Sequence, residues 1–100
     1  MSNGVTDLAW QYRHVTADAQ VRAGKGILHS ITLNGLTTLG DITIYDSLTE
    51  GGTVIAVLHL NTAISVSVQP MTLFYDLEFS TGLYIGYDAT AAADLTIMYA

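Results

Sequence analysis

Apolar and polar residues alternate with period two along most of the chain, and the alternation is plainest from Gly26 to Asp46. The first run there sets Ile27, His29, Ile31 and Leu33 on one face and Leu28, Ser30 and Thr32 on the other, while the second turns Ile42 and Ile44 inward. Between them lie Asn34-Gly35 and Gly40, residues that tolerate positive φ, so the pattern predicts a β-hairpin reversing between Asn34 and Gly40. Upstream, Trp10 to Val15 reads as a strand with Trp10, Tyr12 and His14 opposite Gln11, Arg13 and Val15, Trp10 closing one end of the core. A turn at Ala17-Asp18 leads to the short run Gln20 to Arg22, which pairs loosely before Ala23-Gly24-Lys25-Gly26 turns the chain again. Residues 1–9, with Asn3-Gly4 and scattered apolar side chains, read as a flexible arm that orders only on binding, and residues 10–100 as a single β-sandwich domain.

The same grammar continues after Asp46. Ser47 to Gly52 is a turn by composition, and Thr53 to Leu60 is a strand apolar on both faces, expected to be covered on both sides. Asn61 to Val68 reads as a short strand or an extended connection, and Pro70 marks a strand start or an edge. Met71 to Ser80 alternates with Leu73, Tyr75, Leu77 and Phe79 inward. A tight turn at Ser80-Thr81-Gly82 precedes Leu83 to Tyr87, and a loop from Asp88 to Ala93, too short for a stable helix, precedes the closing strand Asp94 to Tyr99. Seven to nine strands spaced about ten residues apart, with no helical period, predict an all-β fold, an antiparallel sandwich or small barrel.

Composition adds a prediction about assembly. Half of the 100 residues are hydrophobic and only 12% are charged. The mean hydropathy of +0.39 is high for so small a domain, whose surface is large for its volume. Ile55, Val57, Phe74, Tyr84 and Met98 lie on strand faces opposite those assigned to the core, so a homo-oligomer is expected, with these residues at its interface. There is no cysteine, hence no disulfide framework and no Cys-based zinc site. No run approaches the 18 apolar residues that span a bilayer, and the first residues lack a basic start and an apolar signal core, so the chain reads as neither membrane-bound nor Sec-exported.

Charge is placed unevenly. Arg13, Arg22 and Lys25 are the only basic residues, and residues 26–100 hold seven acids. That distribution disfavours nucleic-acid binding, which needs a broad positive face. The basic segment reads either as solvated surface charge or, together with Trp10 and the arm, as a docking element for an acidic neighbour.

Candidate chemistry is sparse. His14, His29 and His59 lie on separate strands without short ligand spacing, and they read as packed or surface histidines in preference to a metal site. Asp76 and Glu78 share a strand face as paired glycosidase carboxylates might, but that face is the polar side of an amphipathic strand. No Gly-x-Ser-x-Gly elbow or phosphate loop occurs, so the reading is non-enzymatic, with no catalytic residue, metal or cofactor assigned. Tyr84, Tyr87, Tyr45 and Phe74 could present a sugar-binding face, the competing reading being burial in the core or between subunits. Asp41, Asp46 and Glu50 could offer oxygens to calcium but lack the spaced acidic loop of an EF-hand.

Two stretches resemble a known group of proteins. Gly26 to Asn34 followed by Ile42-Thr43-Ile44-Tyr45-Asp46, and Phe79-Ser80-Thr81-Gly82-Leu83-Tyr84-Ile85 followed by Ala93-Asp94-Leu95-Thr96-Ile97-Met98-Tyr99, resemble segments of small tailed-phage virion proteins. There a GxLxxIxxN strand precedes an ITIYD strand, and a GLxV turn strand precedes a DxTIxY strand. The resemblance covers most of residues 26–99 and implies a jelly-roll β-sandwich of about eight strands. It further implies a decoration or cement protein on the outer surface of an icosahedral head, commonly a trimer, with the major capsid protein as partner. Residues 1–25 match less well, and no binding residue carries over onto them. The alternative is a carbohydrate- or receptor-binding jelly-roll module of a phage fibre, tail or baseplate.

Overall fold

The computed structural model describes residues 10–60 and 71–100, in which eight strands and no helix occur. They are β1 (Gln11–Val15), β2 (Ala19–Ala23), β3 (Gly26–Thr38), β4 (Gly40–Asp46), β5 (Thr53–Leu60), β6 (Met71–Phe79), β7 (Gly82–Tyr87) and β8 (Ala92–Tyr99). A front sheet has the order β1-β8-β3-β6 and a back sheet the order β2-β7-β4-β5, with every neighbouring pair antiparallel. The pairs β1·β8, β2·β7, β3·β6 and β4·β5 nest inside one another, as in a single long hairpin folded across itself so that alternate pairs fall in opposite sheets. That is jelly-roll connectivity, and the all-β sandwich expected from the alternation is the observed fold.

The core lies between the sheets. Leu28, Ile31, Phe79, Leu95 and Ile97 enter it from the front, and Ile42, Ile44, Leu83 and Ile85 from the back, all of them essentially inaccessible to solvent. Four strands, β3, β4, β7 and β8, are interior to their sheets and supply most of these side chains, whereas the edge strands contribute few, Val15 from β1, Val21 from β2 and Leu58 and Leu60 from β5. In β6 the inward set Leu73, Tyr75, Leu77 and Phe79 is the one the alternation predicts.

The hairpin expected from Gly26 to Asp46 does not form. β3 runs on to Thr38, only Leu39 separates it from β4, and the two strands belong to different sheets. Residues 35–38, assigned to the turn, pair instead with Asp94, Ala93 and Ala92 of β8, across two irregularities in register that bend the strand toward the back sheet. Gly40 makes the corner. A Cβ there would stand 2.7 Å from Ala91 Cβ and from Asp88 Oδ1, so close approach, and not a two-strand turn, requires glycine.

Bulges also revise the assigned faces. Leu28 opposes Tyr99 and Ser30 opposes Met98, which leaves His29 as an extra residue in β3. Leu28, Ile31 and Leu33 therefore face inward, while His29 and Thr32 look outward. In β5 the register steps from Ala56 opposite Ile44 to Val54 opposite Tyr45, and the extra Ile55 packs on the core. β5 is an edge strand whose Val54 and Val57 are exposed, so its two apolar faces are not both covered within the chain. Trp10 does not close the core: it follows Tyr12 and His14 to the solvent side, and Phe79, Tyr87 and Tyr99 are the aromatic residues inside. The arm at residues 1–9 and the strand or connection read at Asn61 to Val68, with Pro70, lie outside the described residues.

Aspartates fasten the ends of the sandwich. Asp46 accepts hydrogen bonds from the backbone N–H of Ser80 (3.0 Å), Thr81 (2.8 Å) and Gly82 (3.3 Å), holding the β6–β7 turn. Asp88 accepts from the N–H of Asp41, Thr90 and Ala91, which draws its carboxyl down to about 2, Asp41 contributing most. Asp18 accepts from the N–H of Tyr87 (2.8 Å). Inside the core the Tyr87 hydroxyl donates toward the carbonyls of Ala93 (2.9 Å) and Val15 (3.3 Å), and burial, with Asp94 and Asp18 adding to it, pushes the phenol up to about 12.

Candidate functional site on the front sheet

One row of directly opposed residues crosses all four strands of the front sheet: Tyr12, Met98, Ser30, Phe74. Opposed residues of a sheet point to the same side, and because Ile97 and Tyr99 flanking Met98 are buried, this row points to solvent. Tyr12 is 74% exposed, Phe74 68%, and Met98 and Trp10 each 36%. The His29 ring, pushed outward by its bulge, lies between Trp10 (ring centroids 4.7 Å apart) and Phe74 (5.6 Å, edge-on). At about 4.8 Å between strands, the two ends of the row stand about 14 Å apart. Taking roughly 200 Å² per large side chain, the exposed fractions leave about 400 Å² of apolar surface on this face. Patches of roughly 300–600 Å² on single domains often have a function.

Hydrogen-bonding groups frame the apolar row. His29 Nδ1 pairs with Asp76, which occupies the left-handed region (φ 47°) in the β6 bulge. A second outward row holds His14, Thr96, Thr32 and Thr72. In it His14 Nε2 lies 2.8 Å from Asp94 Oδ1, and Asn34 donates to Asp94 Oδ1 and to Thr96 Oγ1, both at 2.9 Å. The bond from His14, then that from Asn34, holds the Asp94 carboxyl below its usual range. On the back sheet His59 pairs with Asp41 at 3.2 Å. Each of the three histidines thus joins an edge strand to its inner neighbour, or an inner strand to its edge, through a carboxylate.

The residues singled out from sequence divide among several places. Trp10, Phe74 and Met98 share the front face. Val57 is exposed on the outer side of β5, and Ile55 packs on the core. Arg13 Nη1 donates to the Gln20 carbonyl (3.3 Å) and Arg22 Nε to the Lys25 carbonyl (3.2 Å), so two cations sit on the edge strands β1 and β2 and Lys25 in the turn after them. Tyr84 stacks obliquely on Tyr45 (6.2 Å) on the outer side of the back sheet, where burial, then Asp18, Glu50 and Tyr45, raises its phenol. Tyr87 is inside the core, so the four aromatic residues considered as a sugar face are split among both outer faces and the interior. Asp46 is engaged by backbone N–H groups and Asp41 by His59, and no group of three or more His, Asp or Glu close enough to hold a metal occurs among the described residues.

Sequence reasoning missed Tyr12 and His29 as members of the surface. The shared face of Trp10, Tyr12 and His14 was a usable signal for Tyr12, whereas His29 depends on a bulge. No cleft or cavity of ligand size opens among the described residues, and this face offers a broad apolar contact surface bordered by the pairs His14–Asp94 and His29–Asp76. No protein-family model, curated protein or solved structure matches the chain.

Proposed function

We propose that the chain is a non-enzymatic structural protein of a tailed-phage virion, a decoration protein that binds the outer surface of the head as a homotrimer and cements it. The observation that carries this reading is the set of exposed apolar side chains Tyr12, Met98 and Phe74 in one cross-strand row, with Trp10 beside it, on a jelly roll whose sequence segments resemble those of small virion proteins. Charged residues are depleted at the centres of protein interfaces and aromatic residues and Met enriched, and this face has that composition. Cementing works by mass action: a protein that binds the assembled shell and not its dissociated subunits stabilises the shell by RT ln(1 + [L]/Kd). The partner in this reading is the major capsid protein, and the location is the outside of the capsid.

The test is cryo-electron microscopy of the phage particle together with sedimentation of the purified protein. The expected results are density for this sandwich at capsomer junctions and an oligomer in solution. A stable 10.7 kDa monomer at micromolar concentration, with density confined to a fibre or baseplate, overturns the decoration role. Binding on a glycan array that is lost in Trp10→Ala or Phe74→Ala would instead assign the face to carbohydrate.

A further inference from the structure

We infer that copies of this chain join head to tail, the β1 edge of one front sheet lying beside the β6 edge of the next copy. The inference rests on the homo-oligomer proposed above and names its contact.

Sheet geometry is the first argument. Among the described residues β1 pairs only with β8, and β6 only with β3, so these strands are the two edges of the front sheet. Three successive antiparallel steps, β1 to β8 to β3 to β6, make β1 and β6 run in opposite directions. A copy carried along the sheet therefore presents its β6 antiparallel to the first copy's β1 with the same face outward, and the pleat continues across the junction.

The second argument is where the exposed apolar residues stand. Tyr12 and Phe74 are the two most exposed large hydrophobic residues of the described chain, and they are the two ends of one row. Head-to-tail contact brings Tyr12 of one copy beside Phe74 of the next, so both are covered by a single junction. A two-fold contact between like edges sets Tyr12 against Tyr12 and leaves Phe74 exposed, or the reverse.

Charge gives the third. β6 carries Asp76 and Glu78 and no cation, while β1 carries Arg13 and His14 and no anion. Joining β6 to β6 sets acid against acid, and joining β1 to β6 sets a cation-bearing strand against an acidic one. A heterologous contact of this kind closes into a ring when its rotation divides a full turn.

Mixing variants separates this arrangement from others. Tyr12→Asp spoils the β1 edge and Phe74→Asp the β6 edge, and because both side chains are exposed, each variant should keep the β circular-dichroism spectrum. Each alone should sediment as a monomer at a concentration where the unaltered protein is larger than a dimer. An equimolar mixture has one intact β1 edge and one intact β6 edge left and should stop at a one-to-one dimer. Single-cysteine variants give a second readout that does not depend on either Asp variant folding, since the chain has no cysteine of its own. Tyr12→Cys mixed with Phe74→Cys should form the 12–74 disulfide in preference to 12–12 or 74–74. An unaltered protein that assembles only to a dimer, a mixture that stays monomeric, or preferential 12–12 or 74–74 cross-links would overturn the head-to-tail contact while leaving the virion reading intact. An unaltered protein that is itself monomeric overturns the homo-oligomer on which both rest.

Discussion

Replacing Asp46 by Ala removes the carboxylate that holds the β6–β7 turn and should destabilise the fold by about 2–3 kcal/mol at pH 7. The carboxylate accepts from the N–H of Ser80 and Thr81 at 3.0 and 2.8 Å, and more weakly from Gly82 N–H and Ser80 Oγ, both at 3.3 Å. A hydrogen bond contributes about 1 kcal/mol net, and about 1.5–3 kcal/mol when one partner is charged. Water replaces part of this at the outer groups, so the sum is taken near two good bonds. For a domain of 60–100 residues, about 4–8 °C of Tm per kcal/mol gives a fall of roughly 10–20 °C. The same N–H groups, Ser80 first and then Thr81, hold the Asp46 carboxyl below its usual value against a smaller opposing effect of burial. A depressed folded-state pKa contributes stability that is complete above the unfolded value, near 4, and is lost as pH falls through the folded value. Urea unfolding of the unaltered protein and Asp46→Ala should therefore show the full gap at pH 7 and a much smaller one at pH 2.5. Asp46→Asn, isosteric but neutral, should lose the pH-dependent part. A gap under about 0.5 kcal/mol at pH 7, the ordinary range for surface changes, would refute the assignment. So would a gap that stays the same at pH 2.5.

Other consequences can be checked alongside. Gly82→Ala places a Cβ 2.8 Å from the Ser47 carbonyl and 2.9 Å from that of Arg22, both backbone atoms, and should cost about 1–3 kcal/mol in chemical unfolding. Gly35→Ala, with open space around the new carbon, should be neutral or slightly stabilising in the same assay. Tyr87→Phe removes the one O–H donor that the Ala93 carbonyl (2.9 Å) and, more weakly, the Val15 carbonyl (3.3 Å) share, for a loss of about 1–2 kcal/mol. With its folded value raised to about 12, Tyr87 contributes stability that is complete below about pH 10 and declines as pH rises from 10 toward 12, and thermal unfolding of Tyr87→Phe should lack that decline. Trp10, the sole tryptophan, is stacked on His29, so His29→Ala should shift its fluorescence to longer wavelength, and an unchanged spectrum would argue against the stack.

Period-two alternation located the strands because it depends only on which side of a pleat a residue occupies, and in β4 and β6 it named the inward set as well. It carries no information about which strand pairs with which. Asn34, Gly35 and Gly40 satisfy the requirements of a hairpin turn equally well as those of a bulge and a corner, and the choice is made by β8, some 60 residues later in the chain, pairing with residues 28–38. Faces were misread where a single extra residue, His29 or Ile55, enters a strand, since one insertion inverts all that follows it. The acidity of residues 26–100 was legible as a count and not as a pattern. The five aspartates of this stretch all pair by hydrogen bonds, Asp46 and Asp88 with backbone N–H groups and Asp41, Asp76 and Asp94 with histidines, so most of this charge is internal fastening. The candidate surface was legible in Trp10, Phe74 and Met98, but its extent follows from the row that sets Tyr12 in line with them.

The nested strand pairs also bear on how the chain reaches its fold. β8 is the last of the eight strands in chain order, yet it occupies the middle of the front sheet, between β1 and β3. Until it is made, β1 has no neighbour to pair with and β3 only one of its two ladders, so the front sheet lacks its centre even when β2, β7, β4 and β5 have paired and β6 lies on β3. Pairings of such wide sequence separation are slow to close, and their exposed edges are open to wrong partners in the meantime. The closed sandwich then depends on this strand, and deletion of Asp94 to Tyr99 should abolish the fold entirely where a similar deletion at a sheet edge would only fray it.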